Sequence, residues 1–164
     1  MARITLKGNP INTSGNLPMV GSQANDFNLV KQDLSTATLA SFAGKKKILN
    51  VFPSLDTAVC ATSIKKFHEH TAKKPDLVVL NISADLPFAA KRFCGAEGVE
   101  NAVTLSAFRS NFADDYGLKI VDGPLAGLCS RAVIVLDEKN RVLYTEQVPE
   151  IGQEPDYQKA LAKL

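Results

Sequence analysis

Short apolar runs alternate with amphipathic segments through the middle of the chain. Residues 47–52 and 76–82 are brief stretches rich in Ile, Leu, Val and Phe, and this composition is typical of buried strands. Each run is followed by a segment with apolar side chains at helical spacing, at residues 60–67 and 87–93, and the second segment opens on a proline. This strand–helix–strand order predicts parallel pairing in a central sheet.

Antiparallel pairs are predicted near both ends of the chain. Residues 4–6 and 10–13 flank a Gly8-Asn9 turn, which favours an N-terminal hairpin within residues 1–15. Residues 131–136 and 141–148 flank a polar turn and predict a second hairpin. Weaker patterns predict a strand at 27–30, a helical turn at 39–43, and helices at 108–116 and 157–164. The whole pattern indicates an α/β fold, with a mixed sheet and helices on both of its faces.

Composition and charge restrict the function classes. The 164 residues predict a single domain, 1–164, that is large enough for a proper core. A formal net charge of +2 is too small to indicate nucleic-acid binding. No apolar stretch approaches membrane-spanning length, and the first residues lack the pattern of a signal peptide. Because the three cysteines are an odd number, we expect a reducing, cytoplasmic location and not a disulfide-stabilised secreted protein.

Cys60 carries the strongest chemical signal in the chain. Pro53 cannot continue the strand before it, and Asp56 or Thr57 is suited to cap the helix that follows. Cys60 then falls in or near the first turn of that helix, where unpaired backbone N–H groups and the helix dipole stabilise an anion. A thiol in this position is favoured as the thiolate, which is the nucleophilic form. The pattern therefore predicts cysteine chemistry.

Cys94 is the second cysteine of interest. It lies too far from Cys60 in the sequence for a C-x-x-C redox pair or a zinc knuckle. We expect it where a helix gives way to a loop that contains Gly95 and Gly98. The spacing leaves two interpretations open. The cysteines are two buried structural thiols, or they are a redox pair whose disulfide requires Cα atoms within about 7 Å and local unwinding of the chain.

The histidines support only weaker hypotheses. Cys60 and His68 would lie about 12 Å apart along one helix, which is too far for a hydrolytic dyad. His68 and His70 lack the i, i+4 spacing that places two metal ligands on one helical face. We therefore interpret both histidines as exposed residues near a helix end.

The residues around Cys60 form a motif that indicates a family. Pro53, Thr57 and Cys60 fit the pattern P-x-x-x-T-x-x-C, which is specific to the peroxiredoxin superfamily. Residues 83–94, from Ser83 to Cys94, are similar to the stretch that carries the resolving cysteine in the bacterial thiol peroxidases. These are an atypical two-cysteine branch of the peroxiredoxins. Shorter matches extend the resemblance over essentially the whole chain, at residues 8–10, 122–125 and 154–157.

This resemblance implies a fold, an activity and partners. The fold would be a thioredoxin-like α/β domain with an N-terminal hairpin, and the activity would be thiol-dependent reduction of hydrogen peroxide and organic hydroperoxides. Cys60 would be the peroxidatic thiolate that is oxidised to a sulfenic acid. Cys94 would be the resolving thiol that joins it in an intramolecular disulfide, which thioredoxin would then reduce. No metal or organic cofactor is implied, and a homodimer is expected.

The resemblance also implies roles for three neighbours of the thiol. Arg131 would stabilise the Cys60 thiolate and polarise the peroxide. The Thr57 hydroxyl would form a hydrogen bond with the thiolate and the substrate. Pro53 would shield the thiolate from water and limit over-oxidation.

Cys129 is a third thiol for which the resemblance implies no role. If its strand begins early, Cys129 shares a face with Arg131 and lies near the site; otherwise it is a small buried hydrophobe. Two other function classes are alternatives. A thioredoxin-fold binding module or holdase without peroxidase activity would not need Pro53, Thr57, Cys60 and Arg131 together. A thiol–disulfide oxidoreductase is disfavoured because the chain has no C-x-x-C motif.

Overall fold

Strands and helices alternate along most of the chain in this computed structural model, which describes residues 1–99 and 101–164. The strands are β1 (Arg3–Leu6), β2 (Asn9–Asn12), β3 (Leu29–Val30), β4 (Thr36–Ala37), β5 (Lys46–Val51), β6 (Leu77–Ser83), β7 (Val103–Ser106), β8 (Ala132–Leu136) and β9 (Val142–Gln147). The helices are α1 (Ala58–Thr71), α2 (Pro87–Glu97), α3 (Phe112–Asp115) and α4 (Tyr157–Leu161), with a 3-10 turn at Leu39–Phe42.

The central sheet has seven strands in the order β4-β3-β7-β6-β5-β8-β9. β5, β6 and β7 are parallel, whereas β8 and β9 on one side and β3 and β4 on the other pair antiparallel. The predicted mixed sheet is therefore confirmed. Because β5, β6 and β7 are parallel, their carboxyl ends meet at one edge of the sheet, and the loops that follow them come together there.

The N-terminal hairpin is also confirmed, with a turn one residue earlier than predicted. Lys7 (φ 51°) and Gly8 (φ 81°) occupy the turn, and Asn9 already pairs with Leu6. Two consecutive residues with positive φ are typical of a type I′ turn, whose twist matches that of the flanking strands. Glycine adopts this conformation without strain, which explains its place at the second turn position.

The two faces of the sheet bury different helices, as the pattern predicted. On one face, Ile48 and Val133 pack with Phe67 of α1 and with α4. α2 packs beside α1 on the same face. On the opposite face, Leu49 and its neighbours pack with Phe112 of α3. Alternate residues of β5 therefore contribute to the two layers of the core, as the two-residue period of a strand requires.

The predicted helix at 108–116 is wrong in extent, because only Phe112–Asp115 is helical. The Ser106 hydroxyl accepts a hydrogen bond from Phe108 N at 3.3 Å, and the Ser110 hydroxyl accepts one from Phe112 N at 3.1 Å. Hydroxyls that bind nearby backbone N–H groups compete with the helical bonds and hold the segment in turns.

Other boundaries differ from the predictions by a few residues. Two short strands, β4 and β7, were not predicted. The strand predicted at 27–30 is confined to β3, and the closing helix predicted at 157–164 ends at Leu161. Within residues 1–99 and 101–164, none of the helices is long and apolar enough to cross a lipid bilayer.

Candidate active site

The loop between β5 and α1 presents Thr57, and the first turn of α1 presents Cys60, at the carboxyl edge of the sheet. Pro53 is buried at the start of this loop, two residues after the end of β5. Thr57 is the residue that precedes α1, with an extended backbone (φ −104°), but its side chain makes no capping bond to the helix. The Thr57 hydroxyl instead donates to Cys60 Sγ at 2.6 Å. The same hydroxyl lies 3.1 Å from Ser54 O, so its one hydrogen serves two alternative acceptors.

Cys60 is the third residue of α1 and is fully buried. It lies in the first turn, as predicted, where the positive end of the helix dipole favours an anion. Buried polar side chains fix this turn to the sheet. The Ser63 hydroxyl donates to Cys60 O at 2.9 Å, and Asn50 of β5 donates to Ser63 Oγ at 3.3 Å and to Asn81 Oδ1 at 2.9 Å.

Arg131 brings a buried positive charge to the sulfur. It directly precedes β8, and the two-residue period of the strand places it on the same face as Val133, toward α1. Its Nη1 donates to Cys60 Sγ at 3.2 Å, and its Nε donates to Ile151 O at 2.7 Å. The second bond holds the guanidinium plane in place, so that the charge is oriented as well as close.

The arrangement around Cys60 is suited to a reactive thiolate. Two donors converge on one sulfur, one from a hydroxyl and one from a cation that keeps its charge at any working pH. Cys60 and Arg131 are 0% and 2% exposed, and charges interact more strongly where water is excluded. Thr57 is exposed, whereas the sulfur to which its hydroxyl donates is buried.

The structure places Cys94 inside α2, not at the predicted boundary between helix and loop. The helix continues through Gly95 and ends at Gly98, whose left-handed backbone (φ 70°) terminates it. Cys94 is buried and is not in a disulfide, and it belongs to the same apolar cluster as Cys60. The sheet thus brings both thiols into one layer of the core, on neighbouring helices.

A glutamine from outside α2 contacts the Cys94 thiol. Gln32 Nε2 lies 3.5 Å from Cys94 Sγ and donates to Thr104 Oγ1 at 2.7 Å. Burial raises the pKa of the Cys94 thiol, while hydrogen bonds with Gln32 and Thr104 act in the opposite direction. In this folded state Cys94 is therefore a neutral thiol at neutral pH and a weak nucleophile.

Cys129 lies away from the other two cysteines. β8 begins only at Ala132, and Cys129 packs in the apolar cluster on the opposite face of the sheet. Burial, and to a smaller degree the charge of Asp85, raises the pKa of its thiol to about 12. This placement supports the interpretation of Cys129 as a small buried hydrophobe.

The histidines do not approach Cys60. His68 and His70 lie in the last turn of α1, and Cys60 lies in the first turn. Across the described residues, 1–99 and 101–164, no group of three or more His, Cys, Asp or Glu side chains is arranged to hold a metal ion.

Two contributors to the site were not found from the sequence pattern. Ile151 supplies only a backbone carbonyl, and such a role leaves no trace in residue type. Asp85 accepts hydrogen bonds from residues 52–57, the loop that leads into the helix of Cys60 and is termed the Cys60 loop. A signal for Asp85 was available, because it is a polar residue just beyond the carboxyl end of β6, at the edge where the Cys60 loop lies.

Known proteins share both the sequence and the fold. The family model described as Redoxin matches residues 19–161. A thiol peroxidase of Mycobacterium tuberculosis is 56% identical over 164 residues, covering 100% of this chain and 99% of that protein. The crystal structure of a peroxiredoxin-like protein from Aquifex aeolicus matches with a TM-score of 0.93 and 37% identity, covering 99% and 95% of the two chains.

A second solved structure shares the fold at lower sequence identity. A thiol peroxidase from Chromobacterium violaceum matches with a TM-score of 0.90 and 24% identity, covering 98% of this chain and 93% of that one. The predicted thioredoxin-like fold is thus confirmed, and the full-length match to a thiol peroxidase confirms the family that the cysteine motif indicated. The chain belongs to the redoxin family and, within it, to the thiol peroxidase branch of the peroxiredoxins.

Proposed function

We propose that this enzyme reduces hydrogen peroxide and organic hydroperoxides at Cys60, at the expense of thiols. The observation that carries the proposal is the pair of donors on one buried sulfur, Arg131 Nη1 at 3.2 Å and Thr57 Oγ1 at 2.6 Å. A structural thiol, or the binding module considered as an alternative, requires neither donor. Membership of the thiol peroxidases supports the same reaction class.

The first step oxidises Cys60 by two electrons. The thiolate attacks one peroxide oxygen, the S–O bond forms and the O–O bond breaks, and the leaving alkoxide or hydroxide takes a proton to become an alcohol or water. Arg131 stabilises the thiolate beforehand and the charge on the leaving oxygen during the reaction. Thr57 orients the attacking sulfur and the substrate, and the buried Pro53 limits the access of water and of further peroxide.

The second step joins the two thiols within one chain. Cys94 attacks the Cys60 sulfenic sulfur, the S–S bond forms, the S–O bond breaks, and hydroxide leaves as water after taking a proton. In its helix Cys94 is a weak nucleophile, because burial raises the pKa of its thiol. Unwinding of α1 and α2 would release the thiol from this environment and bring the two sulfurs together. The disulfide step is therefore coupled to local opening.

Reduction of the disulfide completes the cycle. A thioredoxin-type dithiol exchanges with the Cys60–Cys94 bond and leaves both cysteines as thiols. A cytoplasmic location fits this requirement, because thioredoxin systems keep thiols reduced there.

We further propose that the active form is a homodimer and that one domain spans residues 1–164.

Cysteine substitutions test this cycle. Peroxide consumption by the reduced protein is followed with a thioredoxin reducing system, and also without it. Cys60→Ser should abolish turnover, since a hydroxyl is far less acidic than a thiol. Cys129→Ser, a matched change at a buried cysteine outside the proposed site, should retain it. A Cys60→Ser protein that consumes peroxide at the parent rate would overturn the proposal.

The pairing of the thiols is tested by peptide mapping after peroxide treatment. We expect a Cys60–Cys94 bond within one chain. With Cys94→Ser, Cys60 should still be oxidised, but its sulfenic acid should persist and advance to sulfinic acid. A bond from Cys60 to Cys129, or between two chains, would show that Cys94 is not the resolving thiol.

A further inference from the structure

Asp85 lies at the junction of the two segments that carry Cys60 and Cys94. It follows β6 and comes just before α2. One carboxylate oxygen accepts from Ser54 Oγ at 2.8 Å. The other accepts from Leu55 N at 2.7 Å and from Ser83 Oγ at 2.7 Å. Three donors thus converge on a single side chain, and two of them belong to the Cys60 loop.

The backbone of Asp85 is held as well. Ser106, the last residue of β7, donates its hydroxyl hydrogen to Asp85 O. Asp85 therefore connects the end of β6 and the end of β7 with the loop that follows β5. These are the three parallel strands whose carboxyl ends form the edge that carries the site.

We propose that Asp85 is a positioning residue that holds the Cys60 loop in its peroxide-reactive conformation and whose release favours disulfide formation with Cys94. This inference rests on the proposed function, since it assigns a role to Asp85 in the two steps given above. Asp85 acts through the loop and touches neither the sulfur nor the peroxide.

The contacts form a continuous path from Asp85 to the sulfur. Asp85 binds Ser54 and Leu55. Ser54 O in turn accepts from Thr57 N at 3.3 Å, and it is the alternative acceptor, at 3.1 Å, for the Thr57 hydroxyl. The Thr57 hydroxyl donates to Cys60 Sγ. A shift of the loop therefore changes the position of the hydroxyl relative to the sulfur.

The chemistry of the junction requires an acceptor with several lone pairs. An ionised carboxylate only accepts, and it offers about four lone-pair sites for the three donors. Leu55 is buried, so its N–H would be left without a partner if the carboxylate were removed. Movement of the loop toward solvent would then give the Leu55 N–H a water molecule as its hydrogen-bond acceptor. An asparagine side chain keeps one accepting oxygen, and the Ser54 hydroxyl is able to reverse and accept from the amide.

Asp85 also fixes the start of the helix that carries Cys94. α1 and α2 share an apolar cluster, and two further polar links between the Cys60 segment and α2 are exposed ion pairs, Arg92 with Asp56 at 3.4 Å and Lys65 with Glu97 at 2.6 Å. Exposed pairs of this kind contribute little to stability. The partly buried hydrogen bonds of the Asp85 junction are therefore the stronger polar connection, and their loss should make opening of both segments easier.

The two chemical steps should therefore respond in opposite directions. Asp85→Ala should lower the second-order rate constant for sulfenic acid formation by about 10-fold to 100-fold, as small misplacements of reacting groups do. The first-order rate of disulfide formation should rise. The fraction of Cys60 that advances to sulfinic acid in excess peroxide should fall.

The experiment follows both steps by stopped flow with the reduced full-length protein and hydrogen peroxide. Ser54→Ala, which removes one donor and leaves Asp85 intact, should shift both rates in the same directions by a smaller factor, and it keeps the test informative if Asp85→Ala folds poorly. Asp85→Asn should restore most of the first rate. Asp137→Ala is the matched control, because this carboxylate accepts from Lys139 N and Arg141 N in the turn at the opposite end of the sheet.

The outcomes separate the inference from the function on which it rests. A slower first step with a faster second step supports the positioning role. Equal slowing of both steps, or no change in either, overturns it while the peroxidase assignment stands. A parent protein whose Cys60 does not react with peroxide would instead overturn the proposed function itself.

Discussion

Replacement of Arg131 separates the electrostatic and the orienting contributions of its guanidinium. In the folded protein Nη1 lies 3.2 Å from Cys60 Sγ, and both side chains are buried. Arg131→Met removes the charge and the hydrogen-bond donors and keeps a side chain of similar length. Arg131→Lys keeps a charge but loses the planar fork that also donates to Ile151 O.

The size of the effect follows from this one contact. A hydrogen bond to a charged group contributes about 1.5–3 kcal/mol, which corresponds to a rate factor of about 10-fold to 150-fold. We expect Arg131→Met to lower the second-order rate constant for peroxide by this factor at neutral pH, and Arg131→Lys to fall between Met and the parent. Because Ile151 O also loses its donor, about 1–3 kcal/mol of folding stability should be lost.

The assay is stopped-flow oxidation of the reduced proteins at neutral and at alkaline pH, with urea denaturation to establish that each variant is folded. A rate difference that persists at alkaline pH reports contacts in the transition state, because raising the pH offsets only a preference for the thiolate. Arg141→Met is the matched control, because this exposed arginine also donates to a backbone carbonyl, Gly21 O at 3.2 Å.

Two results would refute parts of this reasoning. If Arg131→Met reacts as fast as the parent protein at alkaline pH only, Arg131 acts only by favouring the thiolate. If the rates agree at both pH values, Arg131 has no part in the reaction, and the 3.2 Å contact with Cys60 is structural.

Two further predictions concern Thr57 and Cys129. Thr57→Val keeps the shape but removes the donor 2.6 Å from Cys60 Sγ, so peroxide oxidation should slow by about tenfold, whereas Thr57→Ser should stay near the parent rate in the same stopped-flow assay. Because burial raises the pKa of Cys129 from 9.0 to about 12, its thiol stabilises the fold below pH 9.0, and this contribution is lost as the pH rises toward 12. The slope is about 1.4 kcal/mol per pH unit. In urea denaturation of the reduced proteins, Cys129→Ala should show a shallower alkaline decline than the parent, and an equal decline would contradict the assignment.

The position of Cys60 in the first turn of α1 was predictable because residues close to it in the sequence determine it. The apolar run of β5 and the capping position before α1 locate Cys60 without any knowledge of the rest of the chain. The strand was predicted correctly although it contains Lys47, which is buried. The Nζ of Lys47 donates to Asn140 Oδ1 at 2.7 Å and to Lys45 O at 3.0 Å. A lysine in a short apolar run is tolerated where the strand end offers such acceptors.

The polar strand β7 was not predictable from periodicity. Two of its four residues, Thr104 and Ser106, are polar yet buried, and their side chains bond to Gln32 and to the backbone of Asp85. Burial of this kind follows from partners elsewhere in the sequence. The extent of α2 was underestimated for a related reason, because a glycine such as Gly95 does not reveal from sequence alone whether it continues or ends a helix.

The position of Arg131 depends on strand pairing and was indicated only by resemblance to a family. Antiparallel pairing of β5 with β8 aligns Val51 with Ala132, and this register brings the preceding residue, Arg131, toward the helix that carries Cys60. No local pattern specifies which strand lies beside β5. Tertiary pairing, and not residue type, therefore decides whether this arginine reaches the sulfur.

This pairing has a consequence for the newly made chain. Cys60 and Arg131 are 71 residues apart. During synthesis, Cys60 therefore emerges from the ribosome before Arg131 has been added to the chain. Contacts of such large sequence separation form late, because the intervening chain must be ordered first. The nascent protein thus carries only an ordinary thiol. The oxidant sensitivity that we propose for Cys60 therefore develops only with the completed sheet, after Cys94 has been synthesised.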